Sequence, residues 1–430
     1  MRLVACYFAT MCLGLGFPAA AEVKPHQSLK GTRSLGDLIE QATAGRPVHV
    51  IFVHGMRAEG PGASVELRKA ICQQPDFSCR SGDKAPDDQY VADLGSAAPA
   101  ASLYGKRIWT DAQWIGSRPF VDRYHFKRHD GVEVIVDEVN WWPLLFPLKC
   151  RYLLLPEIEL SGPDEEHLER CARAAPPFHP WTTKADVEAR IANAPRHAKG
   201  AWANRMLKAQ IMNWGLADAV ITLGPMRAYF HQTMEQAFAY AGRSGSKGET
   251  FVIVSESLGS FVVMDAFASS KPTSSVRDVM QRTYDLYFFA NQFALLELAR
   301  IEGLDSGAVP LPIKASHSPD AVTVVSPVND ADSASIPAVS PFSALREWAS
   351  PPRGSGGAQH IRQIIAFNDP NDALTYEVPE ITGAQVVNVY DWNSWHILGL
   401  FADPIGAHVK HSKNKSVIKL LFERRKPLPR

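Results

Sequence analysis

The stretch that most constrains this chain runs from Phe251 to Phe267. A β-branched apolar run, Phe251-Val252-Ile253-Val254, breaks into Ser255-Glu256-Ser257-Leu258-Gly259, and apolar residues resume at helical spacing in Phe261, Val262, Met264 and Phe267. A strand that turns directly into a helix brings the backbone so close to itself that the positions two before and two after the apex must be small. Ser257 meets this requirement, flanked by Ser255 and Gly259. A turn centred on Ser255 would put Ile253 in the tight position, and one centred on Ser260 would put Leu258 there. The reading is a strand–turn–helix unit with Ser257 at its apex and Ser255 where glycine is commoner.

The rest of the chain supplies a sheet for that unit. Val48 to Val53 is a buried-strand run that ends in His54-Gly55-Met56, and a helix is expected around Val65 to Cys72. Extended runs over 120–128 and 132–139 are joined through Asp130-Gly131, a hairpin signal. Short apolar runs over 251–254, 286–290, 361–367 and 384–390 read as buried strands, with helical patterns or long loops between them. Strands alternating with helices predict an α/β fold with a mostly parallel central sheet and flanking helices.

Two segments differ in character. Residues 142–250 open on large apolar side chains and continue with helices, one over about 203–223 and another with the stripe Met226, Tyr229, Phe230, Met234, Ala237, Phe238. Such a stripe is core or, from its place before the 251–254 strand, a helical cap over a pocket. Residues 303–357, rich in Ser, Pro, Ala and Gly, read as a mobile surface insertion. The expected division is then 22–141, 251–302 and 358–430 for the core, 142–250 for the cap and 303–357 for the insertion.

Met1-Arg2, an apolar stretch from Leu3 to Phe17 and Ala19-Ala20-Ala21 have the form of a signal peptide over residues 1–21. The apolar stretch is shorter than the ~20 residues of a membrane span, so export to the periplasm or the medium is expected, with no transmembrane segment in the mature chain. Two of the six cysteines fall within that signal. Cys72, Cys79, Cys150 and Cys171 remain, an even number that suggests two disulfides in an oxidising compartment, with the local pairs Cys72–Cys79 and Cys150–Cys171 preferred among the possible connectivities. With 45 basic and 45 acidic residues the net charge is zero, so nothing in the composition draws the chain to nucleic acid or an anionic membrane. No dense His/Cys cluster points to a metal.

A serine hydroxyl needs a base to take its proton, and a histidine base needs an acceptor to hold its tautomer. Downstream of Ser257 the strand over 361–367 is followed by Asp369 and Asp372, and the strand over 384–390 by His396, His408 and His411. Serine, then acid, then histidine, each past a successive buried strand, resembles the serine hydrolases of the α/β-hydrolase superfamily, in their lipase and esterase branch. The resemblance covers about 47–140 and 251–430 without the insertion. It implies Ser257 as nucleophile, the Leu258 and Met56 amides as oxyanion donors, and His54-Gly55 as the structural His-Gly loop that shapes the oxyanion site. It further implies Asp372 as acid, with Asp369 the alternative, and His408 as base, with His396 the alternative. Glu256 reads as an ion-pair or pocket-rim residue.

What the resemblance implies is hydrolysis of a carboxylic ester, from a small molecule or a lipid, through an acyl-enzyme and without metal or organic cofactor. The single glycine before Met56 and the Trp141-Trp142 pair, read as an aromatic entrance, suit an apolar acyl group and peripheral contact with lipid. Thioester or amide hydrolysis on the same triad and an inactive binding protein of this fold are the rival expectations.

Overall fold

In the computed structural model, the structure describes residues 29, 31–56, 61–79, 82–94, 118–149, 153, 189, 192–193, 208–224, 226–244, 249–268, 272–297, 340–350, 361–391, 393, 396–397, 401–402, 407–408 and 411–423. In chain order the labelled elements begin with α1 (Leu35–Gln41), β1 (Val48–Val53), α2 (Val65–Cys72), β2 (Asp88–Val91), β3 (Phe120–Lys127) and β4 (Glu133–Asn140). After a π-helical segment (Lys208–Leu216) come α3 (Ala217–Leu223), α4 (Arg227–Ala241), β5 (Thr250–Glu256), α5 (Leu258–Phe267), α6 (Ser274–Arg282) and β6 (Thr283–Phe289). The chain continues with α7 (Phe293–Glu297), α8 (Pro341–Ala349), β7 (Arg362–Asn368), β8 (Ala384–Tyr390), the short pair β9 (His396–Ile397) and β10 (Phe401–Ala402), and α9 (Lys415–Phe422).

Eight strands form one sheet in the order β2-β3-β4-β1-β5-β6-β7-β8. From β4 to β8 every neighbouring pair is parallel, and β3 runs antiparallel between β2 and β4. The protein is thus an α/β protein with a mostly parallel sheet. The hairpin over Asp130-Gly131 is present, with Gly131 at φ 86°. The sequence gives little sign of β2, whose four residues lie at the sheet edge and are mostly exposed.

The period of two along each buried strand divides the core into two layers. Ile51, Val53, Ile253, Leu286, Phe288, Ile364 and Ala366 point to one face and pack against α4, α5, α6 and α8. Val50, Phe52, Val252, Val254, Tyr287, Phe289, Ile365 and Phe367 point to the other and pack against α1, α2 and α9. Continuous apolar runs are what a strand covered on both faces requires.

Two expected boundaries change. The stripe on α4 is buried in the first layer, with Tyr229, Phe230, Met234 and Phe238 each at most 1% exposed, and α4 lies on α5 and α6. Residues 226–241 therefore belong to the core and form no cap. Inside the expected insertion, α8 is capped by the Ser340 side chain, starts on Pro341 and buries Ala344, Leu345 and Trp348. The Trp348 indole N–H donates to the Thr283 carbonyl at 3.0 Å, so this part of 303–357 is a structural helix; residues 303–339 and 351–357 lie outside the described residues. Cys72 and Cys79 are disulfide-bonded. Cys150, Cys171 and the expected signal lie outside the described residues. No helix among the described residues is long and apolar enough to cross a membrane.

Candidate active site

Because β1, β5, β6, β7 and β8 are parallel, the loops that follow them meet at one end of the sheet. The ladder runs on past the strand ends: the Ser257 amide donates to Phe289 O at 2.7 Å, Ala290 to Phe367 O at 2.9 Å and Asp391 to Asn368 O at 3.0 Å. These bonds draw Ser257, the 290–292 turn, Asp369–Asp372 and Asp391 to a common rim. Such a carboxyl-end rim is where open parallel sheets place their sites.

Ser257 sits there at φ 53°, ψ −124° between β5 and α5. A non-glycine residue at this φ is strained and is held only by its surroundings. Those surroundings are tight: a Cβ on Gly259 would lie 2.6 Å from Val53 O, and one on Gly55 would lie 2.8 Å from Ser257 Cβ. The close approach explains the small residues on both sides of the apex. Ser255, in the place where glycine is commoner, puts its hydroxyl 2.9 Å from that of Ser260, so the extra atoms are accommodated by a hydrogen bond inside the turn.

The Ser257 hydroxyl lies 2.7 Å from Nε2 of His408. On the far side of the ring, Nδ1–H donates to Asp372 Oδ2, also at 2.7 Å. This leaves Nε2 with its lone pair toward Ser257. Asp372 Oδ1 accepts from the Leu374 amide at 2.8 Å, and Oδ2 also accepts from the Thr375 hydroxyl. Burial would raise the pKa of Asp372, but the bond and charge of His408, with Thr375 and Leu374, hold it below the usual carboxylate range. All three side chains are buried. The arrangement can transfer the serine proton to the ring and stabilise the resulting imidazolium.

Asp369 and His411 make other contacts. Asp369 accepts from the Asn371 amide and side chain at 2.8 and 3.1 Å and from the Asn393 amide at 2.6 Å, which makes it the organiser of its turn. His396 lies in β9, paired with Ala402; its side chain is outside the described residues. His411 is buried, with Nδ1 3.4 Å from Asp391 Oδ2. Burial opposes its charge, yet Asp391, followed by Glu256 and Asp372, raises its pKa.

His54 is locked in place. Its Nδ1–H donates to the Gly55 carbonyl at 2.8 Å, its Nε2 accepts from the Trp141 amide at 3.2 Å, and the two rings stack 4.7 Å apart. Burial pushes its pKa down to about 4, so it is a neutral brace for the loop carrying Met56. Trp141, expected at an aromatic entrance, is wholly buried in this brace, which removes it from any pocket mouth. Leu258 opens α5, where a backbone N–H has no intrahelical partner. A Cβ on Gly55 would meet Ser257 Cβ and Glu256 O, so the loop leading into Met56 packs against the turn at Ser257, the elbow between β5 and α5. Downstream, Glu138 at the end of β4 accepts from the amides of Gly62, Ala63 and Ser64 at 2.5, 3.0 and 3.0 Å and fixes the chain entering α2.

Three features escaped the sequence. Gln292 places its side-chain amide nitrogen 3.3 Å from His408 Nε2, a position set by Ala290 at φ 49° and by Asn291, which donates to the Tyr376 carbonyl at 2.5 Å. Only a residue known to follow β6 at the rim would have drawn notice to it. Glu256, expected at a pocket rim, is buried and accepts from the Ser412 hydroxyl at 2.9 Å; burial raises its pKa. An apolar cleft of about 710 Å³, lined by Leu148, Leu153, Met212, Leu216, Val220 and Ile221, lies apart from these residues.

No group of His, Cys, Asp and Glu among the described residues is arranged to hold a metal ion. Comparison of the sequence with models of known families and with curated proteins finds no match.

Proposed function

We propose that this chain is a serine hydrolase of the α/β-hydrolase type that cleaves carboxylic esters. The observation that carries the reading is the unbroken line Ser257 Oγ, His408 Nε2, His408 Nδ1, Asp372 Oδ2, with 2.7 Å at each hydrogen bond. In the proposed reaction His408 takes the Ser257 proton as the oxygen attacks the ester carbonyl. The tetrahedral oxyanion accepts from the amides of Leu258 and Met56. His408 then gives its proton to the departing alkoxide, leaving an acyl-Ser257. Water, deprotonated by the same ring, releases the acid and restores the serine. Asp372, held below the usual carboxylate range, keeps the ring in the required tautomer and stabilises its cationic form.

An apolar acyl group is proposed for the substrate. Its support is the bulky Met56 after a single glycine in the oxyanion loop. The disulfide between Cys72 and Cys79 fits the export proposed from residues 1–21, since disulfides persist in oxidising compartments. The test is hydrolysis of p-nitrophenyl esters of graded chain length by the full chain and by Ser257→Ala, with labelling of Ser257 by a fluorophosphonate. Equal rates for parent and variant on every ester would sink the ester reading, and parallel assay of thioesters and amides identifies the rival chemistry.

A further inference from the structure

The base arrives late in the chain and from a distance. His408 follows β8 on a stretch whose described residues pair with no strand of the eight-stranded sheet, yet its ring must stay within hydrogen-bond reach of a serine 151 positions earlier. What holds the chain on both sides of the ring is therefore decisive. Downstream, residues 411–413 form a 3-10 turn and α9 packs on α1 and α2 in the second core layer. Upstream, the Asn393 amide donates to Asp369, and the Asn414 side chain donates to Asn393 Oδ1 at 2.5 Å. These contacts tie the histidine segment to the acid's turn. They do not tie it to the nucleophile.

One bond does. Ser412 Oγ donates to Glu256 Oε2 at 2.9 Å, and both side chains are buried. Glu256 is the last residue of β5 and immediately precedes Ser257, while Ser412 stands four residues after His408. We infer that Glu256 is a positioning residue: through Ser412 it clamps the histidine-bearing segment onto the nucleophile's own strand and so sets the Ser257–His408 distance. The inference rests on the hydrolase reading. It also accounts for an acidic side chain buried beside the nucleophile, where burial disfavours its charge, since acceptance from a hydroxyl needs an oxygen and no net charge. His411, in the same turn, adds an anchor to Asp391 at the end of β8, which fixes the turn in one further direction and leaves the elbow contact to Glu256.

The test uses the full chain and its variants Glu256→Ala, Glu256→Gln, Ser412→Ala and the double Glu256→Ala/Ser412→Ala, each checked for a cooperative thermal transition. Misplacing a catalytic group by about 1 Å costs on the order of 100-fold. Glu256→Ala and Ser412→Ala are expected to lower kcat on a p-nitrophenyl ester by about 10- to 100-fold with KM within about twofold. Glu256→Gln, which keeps an oxygen for Ser412, is expected to stay within about threefold of the parent. The double variant is expected to be no slower than the slower single one, because both remove the same bond. Parental kcat in folded Glu256→Ala, an equal loss in Glu256→Gln, or multiplying losses in the double variant would each overturn the inference. Should Glu256→Ala not fold, Ser412→Ala decides the point from the other end of the bond. If the parent cleaves no ester and Ser257 takes no fluorophosphonate, the hydrolase reading fails by itself. The clamp is then judged by the downfield Nδ1 proton of His408 in NMR spectra, identified by its absence in His408→Ala. Its loss in Ser412→Ala and retention in Glu256→Gln supports the clamp, and an unchanged resonance in Ser412→Ala overturns it.

Discussion

Ser255 and Ser260 face each other across the elbow with their hydroxyls 2.9 Å apart, both shut off from solvent. A turn that has glycine in the first of these positions cannot make this bond. Here it joins the end of β5 to the first turn of α5 and braces the strained residue between them. Replacing Ser255 with Ala removes one partner and leaves the other buried and unpaired, a loss of about 1–3 kcal/mol. The effect is expected in the denaturation midpoint of Ser255→Ala. Ser255→Val, which also crowds the turn, is expected to lose more; a smaller loss for Val would contradict the crowding.

Gly259 has no room for a methyl group, with Val53 O 2.6 Å from where its Cβ would be. Gly259→Ala must push α5 off the loop after β1, at a cost of about 3 kcal/mol or more. Circular dichroism melts read this directly. An unchanged midpoint would mean that the helix and loop are looser than the contact implies.

Asp372 and Asp369 separate cleanly by substitution. Asp372→Asn removes the carboxylate that fixes the His408 tautomer and is expected to lower kcat by about 10³- to 10⁴-fold with the fold intact. Asp369→Asn keeps the bonds among Ser257, His408 and Asp372 and an oxygen for the Asn371 or Asn393 amide, and is expected to act mainly through stability. The reverse pattern in single-turnover assays would reassign the acid.

Gln292 lies beside the one lone pair that, under the proposed chemistry, takes the serine proton. Since Nε2 is a single acceptor, the Gln292 amide at 3.3 Å is the longer of two donors beside it, after the Ser257 hydroxyl at 2.7 Å. Gln292→Ala is expected to lower kcat by about 10-fold with little change in thermal stability. A stability loss at unchanged kcat would make it a packing residue instead.

His49 predicts a pH dependence at the opposite end of the sheet. It is buried between Glu249 on Nδ1 at 2.8 Å and Asp137 on Nε2 at 2.7 Å. Burial opposes its charge, but the two carboxylates raise its pKa above the ordinary 6.5. A group raised in the folded state contributes stability that is fully present below its unfolded pKa and is lost as pH rises through the folded one. The stability difference between parent and His49→Gln should therefore be greatest at or below about pH 6.5 and shrink on going more alkaline. A difference that grows with pH would contradict the assignment.

How much was legible in the chain depended on whether the constraint was local. Ser257 could be read because the turn restricts residues two positions away, and β1, β5 and β7 because burial on both faces leaves continuous apolar runs. Asp372 and His408 were legible through their order after successive strands. The Glu256–Ser412 and Gln292–His408 contacts join residues 156 and 116 positions apart, and no period or spacing encodes such a meeting. Helix α8 was hidden for another reason: the Ser-, Pro- and Ala-rich sequence around it masked a short signal. That signal is an N-capping Ser340, Pro341 at the first helical position and apolar Phe342, Leu345 and Trp348 at three-residue spacing. The stripe on α4 showed the opposite confusion, since the spacing that announces a buried face does not say which surface buries it.

The route by which the base reaches its serine has a consequence for synthesis. A nascent chain that has emerged as far as β8 holds all eight strands of the sheet, Ser257 and Asp372. It does not yet hold His408, the proposed proton acceptor for Ser257, or the segment that steadies it, which follow β8 in the chain. Under the proposed chemistry such a chain lacks its base and gains reactivity only once the segment bearing His408 has emerged.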